Sequence, residues 1–276
     1  MDIAAKLMLN TEVTRRVLVA FLRREIERFG FHKAVLGVSG GVDSSLACFL
    51  ATEALGAQNV LALLMPYRTS APESTEHARR VVEITGVCSK TVDITPMVDP
   101  YLEQHPQMSD VRRGNVMARM RMIVLYDHSA LWNGLVVGTS NKTELLLGYG
   151  TLFGDMASAV NPLGDLYKTQ VRQMARAVGV PEAIVQKAPS ADLWAGQTDE
   201  GELGFTYAEV DKLLYCLVDE RYTPEEAVAA GFDPQFVTAV VRKMRASQFK
   251  RMPPLIAKVS RRDVGHDFLY PRDWGT

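Results

Sequence analysis

Cysteine is scarce. Cys48, Cys88 and Cys216 are odd in number, far apart and free of C-x-x-C spacing, so neither a disulfide framework nor a zinc or iron–sulfur site finds support, and buried thiols are expected. Charge of one sign is lacking as well. The 31 Lys and Arg against 32 Asp and Glu leave a formal net charge of −1, which argues against a nucleic-acid binder with a broad basic face. No apolar run approaches the ~20 residues of a membrane span, and Met1-Asp2-Ile3-Ala4-Ala5-Lys6 lacks a signal-peptide layout. The chain is therefore expected in the cytoplasm, with no membrane partner. No low-complexity stretch, Pro/Ser-rich linker, charge block or solenoid repeat divides the 276 residues, so one α/β domain with a substantial core is expected.

What is present centres on Val35-Leu36-Gly37-Val38-Ser39-Gly40-Gly41-Val42-Asp43-Ser44-Ser45. An apolar run breaks into Ser-Gly-Gly-x-Asp-Ser-Ser and resumes with helical character. Strand-forming residues 35–38 deliver the chain to a turn where Gly40 and Gly41, without Cβ atoms, let backbone N–H groups close on phosphate oxygens. Ser39, Ser44 and Ser45 add hydroxyls, and the helix that follows turns its positive end toward the same anion. The Gly-Lys-Ser/Thr of the common P-loop is missing; Asp43 instead suits a magnesium-linked pyrophosphate. The string resembles the pyrophosphate loop of the ATP pyrophosphatase superfamily, whose members split ATP between the α and β phosphates to form adenylates.

Around this loop the pattern is βαβαβ. Residues 11–29 have helical spacing and stop at Gly30; residues 60–66 form the continuous apolar run of a buried parallel strand; helical spacing returns over 74–85, and 88–94 reads as another strand. A long helix is predicted over 111–131, then a strand over 135–138, with further helices at 169–178, 207–217, from Thr223-Pro224-Glu225-Glu226, and from Asp233-Pro234 to about 246. The fold class is thus a Rossmann-like doubly wound parallel sheet, with ligand contacts at the carboxyl ends of its strands. The expected divisions are an N-terminal helix (1–30), a nucleotide-binding core (31–205), and C-terminal helices with a substrate-covering arm (206–276). Arg112, Arg113, Arg119 and Arg121, Lys250-Arg251 and Arg261-Arg262 are the local basic clusters. His266-Asp267 invites an acid/base reading, but adjacent residues rarely face each other, and the pair is taken as structural.

Gly138-Thr139-Ser140-Asn141-Lys142-Thr143-Glu144 follows a strand and opens a helix. Glu144 can complete magnesium coordination opposite Asp43; the spacing equally suits a Thr/Ser N-cap with a first-turn Glu. The longer passage adds Gly148-Tyr149-Gly150-Thr151-Leu152-Phe153-Gly154-Asp155, Asn161-Pro162-Leu163, Tyr167-Lys168-Thr169-Gln170, Lys187-Ala188-Pro189-Ser190-Ala191-Asp192-Leu193-Trp194 and Gly196-Gln197-Thr198-Asp199-Glu200. With Arg113-Gly114-Asn115 upstream and Phe249-Lys250-Arg251 near the end, it closely resembles the NAD+ synthetase family from about residue 15 onward.

The resemblance implies an adenine nucleotide alpha hydrolase-like fold and a two-step reaction. Deamido-NAD attacks ATP to give an adenylated carboxylate and pyrophosphate, and ammonia then displaces AMP. By position, Gly37, Val38, Ser39, Gly40, Gly41, Val42, Asp43 and Ser44, with Thr139, Lys168 and Ser190, would bind ATP. Asp43 and Glu144 would hold Mg2+, and Arg119 and Lys250 would contact deamido-NAD. Asp43, Lys168 and Asp155 are the catalytic candidates, Asp155 as a polar group near the carboxylate or ammonia. The family implies a homodimer with the active site at its interface, and residues 113–131, through Met120, Ile123 and Val124, are expected to meet the mate. Positions often Lys, Asp and His in the ammonia-dependent branch hold Leu152, Ala159 and Phe249 here. The roughly 30 residues before the first strand leave no room for a glutaminase domain, so free ammonia is the expected donor, with a separate glutaminase subunit still open. Two other functions share the loop: a tRNA-thiolating adenylase, which would want paired cysteines and a basic face, and a non-catalytic ATP-sensing module.

Overall fold

The computed structural model describes residues 3–190, 192–194 and 197–263; Gly196 and the His266-Asp267 pair lie outside them. Apolar runs form β1 (Ala34–Gly37) and β2 (Val60–Leu64), flanked by β3 (Cys88–Thr91) and the two-residue β4 (Leu135–Val136). All pairings are parallel, in the order β3-β2-β1-β4, with Val35 opposite both Leu61 and Val136. Side chains leave a strand alternately to its two faces. Ala34, Leu36, Val60, Ala62 and Leu64 enter one core, and Val35, Leu61 and Leu63 enter the other. That double burial is why both strands read as unbroken apolar runs.

The chain begins with α1 (Ile3–Lys6) and α2 (Thr11–Glu27), continues through α3 (Val42–Leu55), α4 (Pro72–Thr85), α5 (Thr95–Glu103) and α6 (Asp110–Trp132), and then α7 (Lys142–Leu147), α8 (Lys168–Val178) and α9 (Glu182–Gln186). Helices α2, α3, α4 and α8 cover the first core, while α5 and α6 cover the second. A smaller third core joins α11 (Tyr207–Leu214) to α12 (Pro224–Ala229) and α13 (Pro234–Ala246), with α10 (Asp199–Leu203) beside it. The doubly wound parallel sheet predicted from the sequence is the observed one.

Three local expectations need correction. The strand predicted over 88–94 stops at Thr91: it is the sheet's edge, all four of its residues are exposed, and the chain then turns into α5. Cys88 is consequently solvent-facing, whereas Cys48 and Cys216 are buried as expected; burial pushes the Cys48 thiol up to about 11. The helix predicted over 207–217 gives way at Tyr215 to a π-helical turn, Tyr215–Asp219. That turn presents Asp219 to the Tyr167 hydroxyl and, at 2.9 Å, to Lys142 Nζ. After residue 252 the described chain runs exposed without helix or strand. Among the described residues no helix is long and apolar enough to cross a membrane.

Candidate active site

The sheet order puts the exits of β1 and β4 side by side, since strands leave β1 in opposite directions on either side of it. Such a switch point opens a crevice at the strands' carboxyl ends. A cavity of about 1100 Å³ occupies it, and Gly37, Val38, Ser39, Gly41, Asp43 and Ser44 form part of its wall. Gly40 has φ +84°, and a Cβ there would lie 2.0 Å from the Ser74 carbonyl oxygen, so the turn tolerates glycine alone. Gly41 is the N-cap of α3. The loop's hydroxyls also fix the loop itself: Ser44 Oγ donates to the Gly41 carbonyl at 3.1 Å and accepts from Ser39 N–H at 3.2 Å. Ser45, expected to face an anion, is instead fully buried and donates to the Gly41 carbonyl at 2.7 Å.

Lys168, the first residue of α8, is buried at the floor of the crevice. Its Nζ donates to Asp43 Oδ2 at 2.6 Å and to Glu144 Oε1 at 3.0 Å, and lies 5.1 Å from the centre of the Tyr207 ring. Burial alone would lower its pKa; the Asp43 and Glu144 charges outweigh that and hold the ammonium charged above its ordinary range. One ammonium cannot neutralise two carboxylates. Burial pushes Glu144 up to about 7, with the Asp43 charge adding to the rise and Lys168 opposing it. Asn141 aligns both acids. Its Nδ2 donates to Asp43 Oδ1 at 2.8 Å, its Oδ1 accepts from Glu144 N–H at 3.0 Å, and Glu144 Oε2 accepts from the Asn141 N–H at 3.2 Å, a reciprocal cap on α7. Glu144 Oε2 thus closes the cap of α7, whose N-cap is Asn141 and not the Thr or Ser expected, while its Oε1 pairs with Lys168 beside Asp43.

Thr139, Asp155, Ser190 and Lys250 also line the cavity. Asp155 Oδ1 accepts from Thr151 N–H at 2.8 Å, and Ser190 Oγ accepts from Asp192 N–H at 3.1 Å. Lys250 Nζ donates to the Gly148 and Gly150 carbonyls, both at 2.8 Å, and burial lowers its pKa. Arg119 is placed differently. It is exposed, outside the cavity wall, and donates through Nε and Nη2 to the Leu152 carbonyl, both at 3.3 Å. Leu152, Ala159 and Phe249 likewise stand outside the cavity wall of this chain.

Several cavity residues escaped sequence reading. Arg121, two residues from Arg119 and so on the opposite side of α6, faces inward and donates Nε to the Met65 carbonyl at 3.0 Å. Asp199 accepts from the Tyr149 and Tyr207 hydroxyls, each at 3.0 Å. Lys187 Nζ donates to Ser74 Oγ at 2.8 Å. The Lys187-to-Glu202 passage held the signal for most of these, but their meeting depends on the crossover from α9 back over α4. Among the described residues no group of three or more His, Cys, Asp or Glu side chains gathers as a cation cage.

A family model described as NAD synthase matches residues 14–254. An NH(3)-dependent NAD(+) synthetase from Trichlorobacter lovleyi is 62% identical over 98% of this chain and 99% of its own. Among solved structures, an NMN synthetase from Francisella tularensis shares 31% identity with a TM-score of 0.81, covering 91% of this chain and 99% of that one. An NH3-dependent NAD synthetase from Campylobacter jejuni, solved with a nitrate ion, shares 33% with a TM-score of 0.77, covering 91% and 100%.

Proposed function

The chain belongs to the NAD synthase family, and from that membership we infer that it converts deamido-NAD to NAD+ with ATP and ammonia, through an adenylated carboxylate. The observation that carries this reading is the junction of Asp43, Lys168 and Glu144 beneath the Ser-Gly-Gly loop. A carboxylate oxygen is a poor leaving group against an amine at neutral pH. Attack of the nicotinate carboxylate on the α-phosphorus of ATP breaks the α–β bridge and releases pyrophosphate. Ammonia then attacks the acyl carbon, AMP departs with the carboxylate oxygen, and the surplus proton passes to a base.

The loop N–H groups with Ser39 and Thr139 would hold the phosphate chain. Lys168 would place its ammonium at the phosphates, where negative charge grows as the bridge breaks. Asp43 and Glu144, which both line the cavity beside Lys168, would hold Mg2+. Two carboxylates completed by phosphate oxygens and waters suit this hard cation. When bound, it offsets charge on the departing pyrophosphate. Asp155 would accept the proton from the attacking nitrogen, and Lys250 would meet the dinucleotide at the Gly148–Gly150 turn. Because Arg119 stands outside its own cavity wall, its contact with deamido-NAD would be made in a homodimer. Relatives named for ammonia match 98% and 91% of this chain, which supports free ammonia as donor; a separate glutaminase subunit and a cytoplasmic setting are compatible additions.

Pyrophosphate release with deamido-NAD, ATP and ammonia tests the reading. Activity is expected with ammonium salts and not with glutamine alone. Absence of release would favour an ATP-sensing module, and formation of NMN in place of NAD+ would align the chain with the Francisella relative.

A further inference from the structure

Charge at the phosphate end of the cavity does not balance around Lys168. That ammonium is shared between Asp43 and Glu144 at 2.6 and 3.0 Å, and Asp199 lies close enough to add to their pull. The floor is therefore net negative, while the expected occupant, a nucleoside triphosphate, is itself a polyanion. A divalent cation offsets part of this. A further positive group near the glycine turn would offset more, and among the cavity-lining residues Lys187 stands at the right place.

Lys187 follows α9 and returns the chain toward the N-terminal turn of α4. Its Nζ donates to Ser74 Oγ at 2.8 Å, and the nearest carboxylate contact, Glu73 Oε2, is 3.7 Å away on a side chain largely in water. The Lys187 side chain is only one-fifth exposed. A buried stem carrying an ammonium with one neutral partner and one long, solvated ionic contact has donor capacity left for an anion, because an ammonium carries three N–H groups. Ser74 also fixes the distance to the loop: its carbonyl sits where a Cβ on Gly40 would be, 2.0 Å away. Lys187 is thereby tethered against the back of the glycine turn that presents the Gly41 N–H. The same segment is held at its far end, where both Asp192 carboxylate oxygens accept from Ala71 N–H at 3.2 and 3.0 Å. Lys187 thus projects from a strap anchored to α4 at two points.

We propose that Lys187 is a second phosphate-binding ammonium, which leaves Ser74 to pair with the β and γ phosphates of ATP, the pyrophosphate to be released. This rests on the nucleotide reading of the cavity and adds to it a second lysine of the cavity wall. A point charge on a flexible stem suits the task, since pyrophosphate must be gripped and then let go.

Calorimetric titration with inorganic pyrophosphate in magnesium buffer tests this without turnover, with adenosine as a control for the nucleoside end. Lys187→Met keeps the apolar stem and removes the charge, so the fold is expected to survive. Pyrophosphate affinity should fall about tenfold to a hundredfold, the range for a lost charged hydrogen bond, while adenosine binding stays within about twofold by the same scale. Lys187→Arg should retain most of the pyrophosphate affinity. Unchanged pyrophosphate binding in Lys187→Met overturns the proposal and leaves the nucleotide site standing; so does equal loss in Lys187→Met and Lys187→Arg. Wild-type protein that binds adenosine but no pyrophosphate overturns the phosphate reading of the cavity as a whole. If Lys187→Met does not fold, Ser74→Ala, which frees the ammonium from its tether, should keep or tighten pyrophosphate binding; a tenfold loss there would assign the grip to Ser74 and overturn the role of Lys187.

Discussion

Lys168 brings one positive charge to two carboxylates, so proton and cation compete for the excess one. With Glu144 pushed up to about 7 by burial, magnesium bound with ATP should weaken by up to about tenfold per pH unit of acidification below that point and level off above it. Magnesium titrations at pH 6 and pH 8 check this; equal affinities would remove Glu144 from the cation site. Because burial outweighs the Lys168 pairing, the sign for stability is opposite to that of an acid whose pKa is lowered on folding. The native chain keeps a proton that an unfolded glutamate has released, so this group's contribution to stability declines as pH rises from 4.5 to about 7. Asp43→Asn should leave the fold intact and reduce adenylation roughly 100-fold or more, the usual cost of removing one electrostatic stabiliser of a transition state. Near-normal pyrophosphate release would take Asp43 out of that role. Asp43 was legible in the sequence from its loop alone, whereas Glu144 and Lys168, each also suited to an ordinary helix start, were picked out through the longer passage that resembles the family. Asn141 lay in the Glu144 motif and Lys187 in the 187–194 string, yet nothing in one dimension says that an amide would align two acids or that a lysine would reach Ser74.

At the scale of elements, the glycine turn shows how backbone shape carries chemistry. Gly40→Ala must satisfy both φ +84° and a 2.0 Å approach to the Ser74 carbonyl. Either the turn or the start of α4 shifts, so ATP affinity should drop by about tenfold or more on the scale of strain energies while the overall helix content holds. Calorimetry with ATP beside circular dichroism reads both, and unaltered ATP binding would show that the turn has slack. Arg251 fixes another element. Its Nη1 donates to the Leu145 and Leu146 carbonyls at 2.8 and 2.9 Å, and its Nη2 to the Met244 carbonyl at 3.2 Å, joining the carboxyl ends of α7 and α13. The long α6 and the strongly amphipathic α8 were read to within a residue or two. Short elements divide: the start of α12 was read from its Thr223-Pro224 cap, whereas α5 contains Pro100, which argues against a helix locally, and the parallel bridge of Val137 to Val160 extends the sheet across a gap no periodicity reports.

For the whole molecule, α6 decides whether the proposed dimer and the substrate site are one question. Of the residues expected to face a mate, Val124 is buried in its own chain's core and Met120 packs partly against it, whereas Ile123 is 54% exposed. Ile123 lies one turn beyond Arg119 on the same outward face, so Ile123→Glu should not unfold the chain. It should weaken association and deamido-NAD binding together. If ligand binds only the assembled site, deamido-NAD at a hundredfold excess over its dissociation constant should stabilise the wild-type dimer by about 2.7 kcal/mol. Sedimentation with substrate titration reads both effects, and a monomeric variant with undiminished deamido-NAD affinity would separate the site from the interface.

The three thiols turn this architecture into a clock. Cys88 on the open edge strand is available to a labelling reagent at once, while Cys48 lies in the sheet's first core and Cys216 is buried in the π-helical turn that continues α11. Each buried sulfur reacts only when its own surroundings open, so its labelling rate measures how often that region comes apart. Cys216, within the π-helical turn, should be modified before Cys48. Mass spectrometry along a time course would then report the breathing of the two regions separately, with no residue added to the chain, and identical rates would mean that sheet and helical cluster come apart as one.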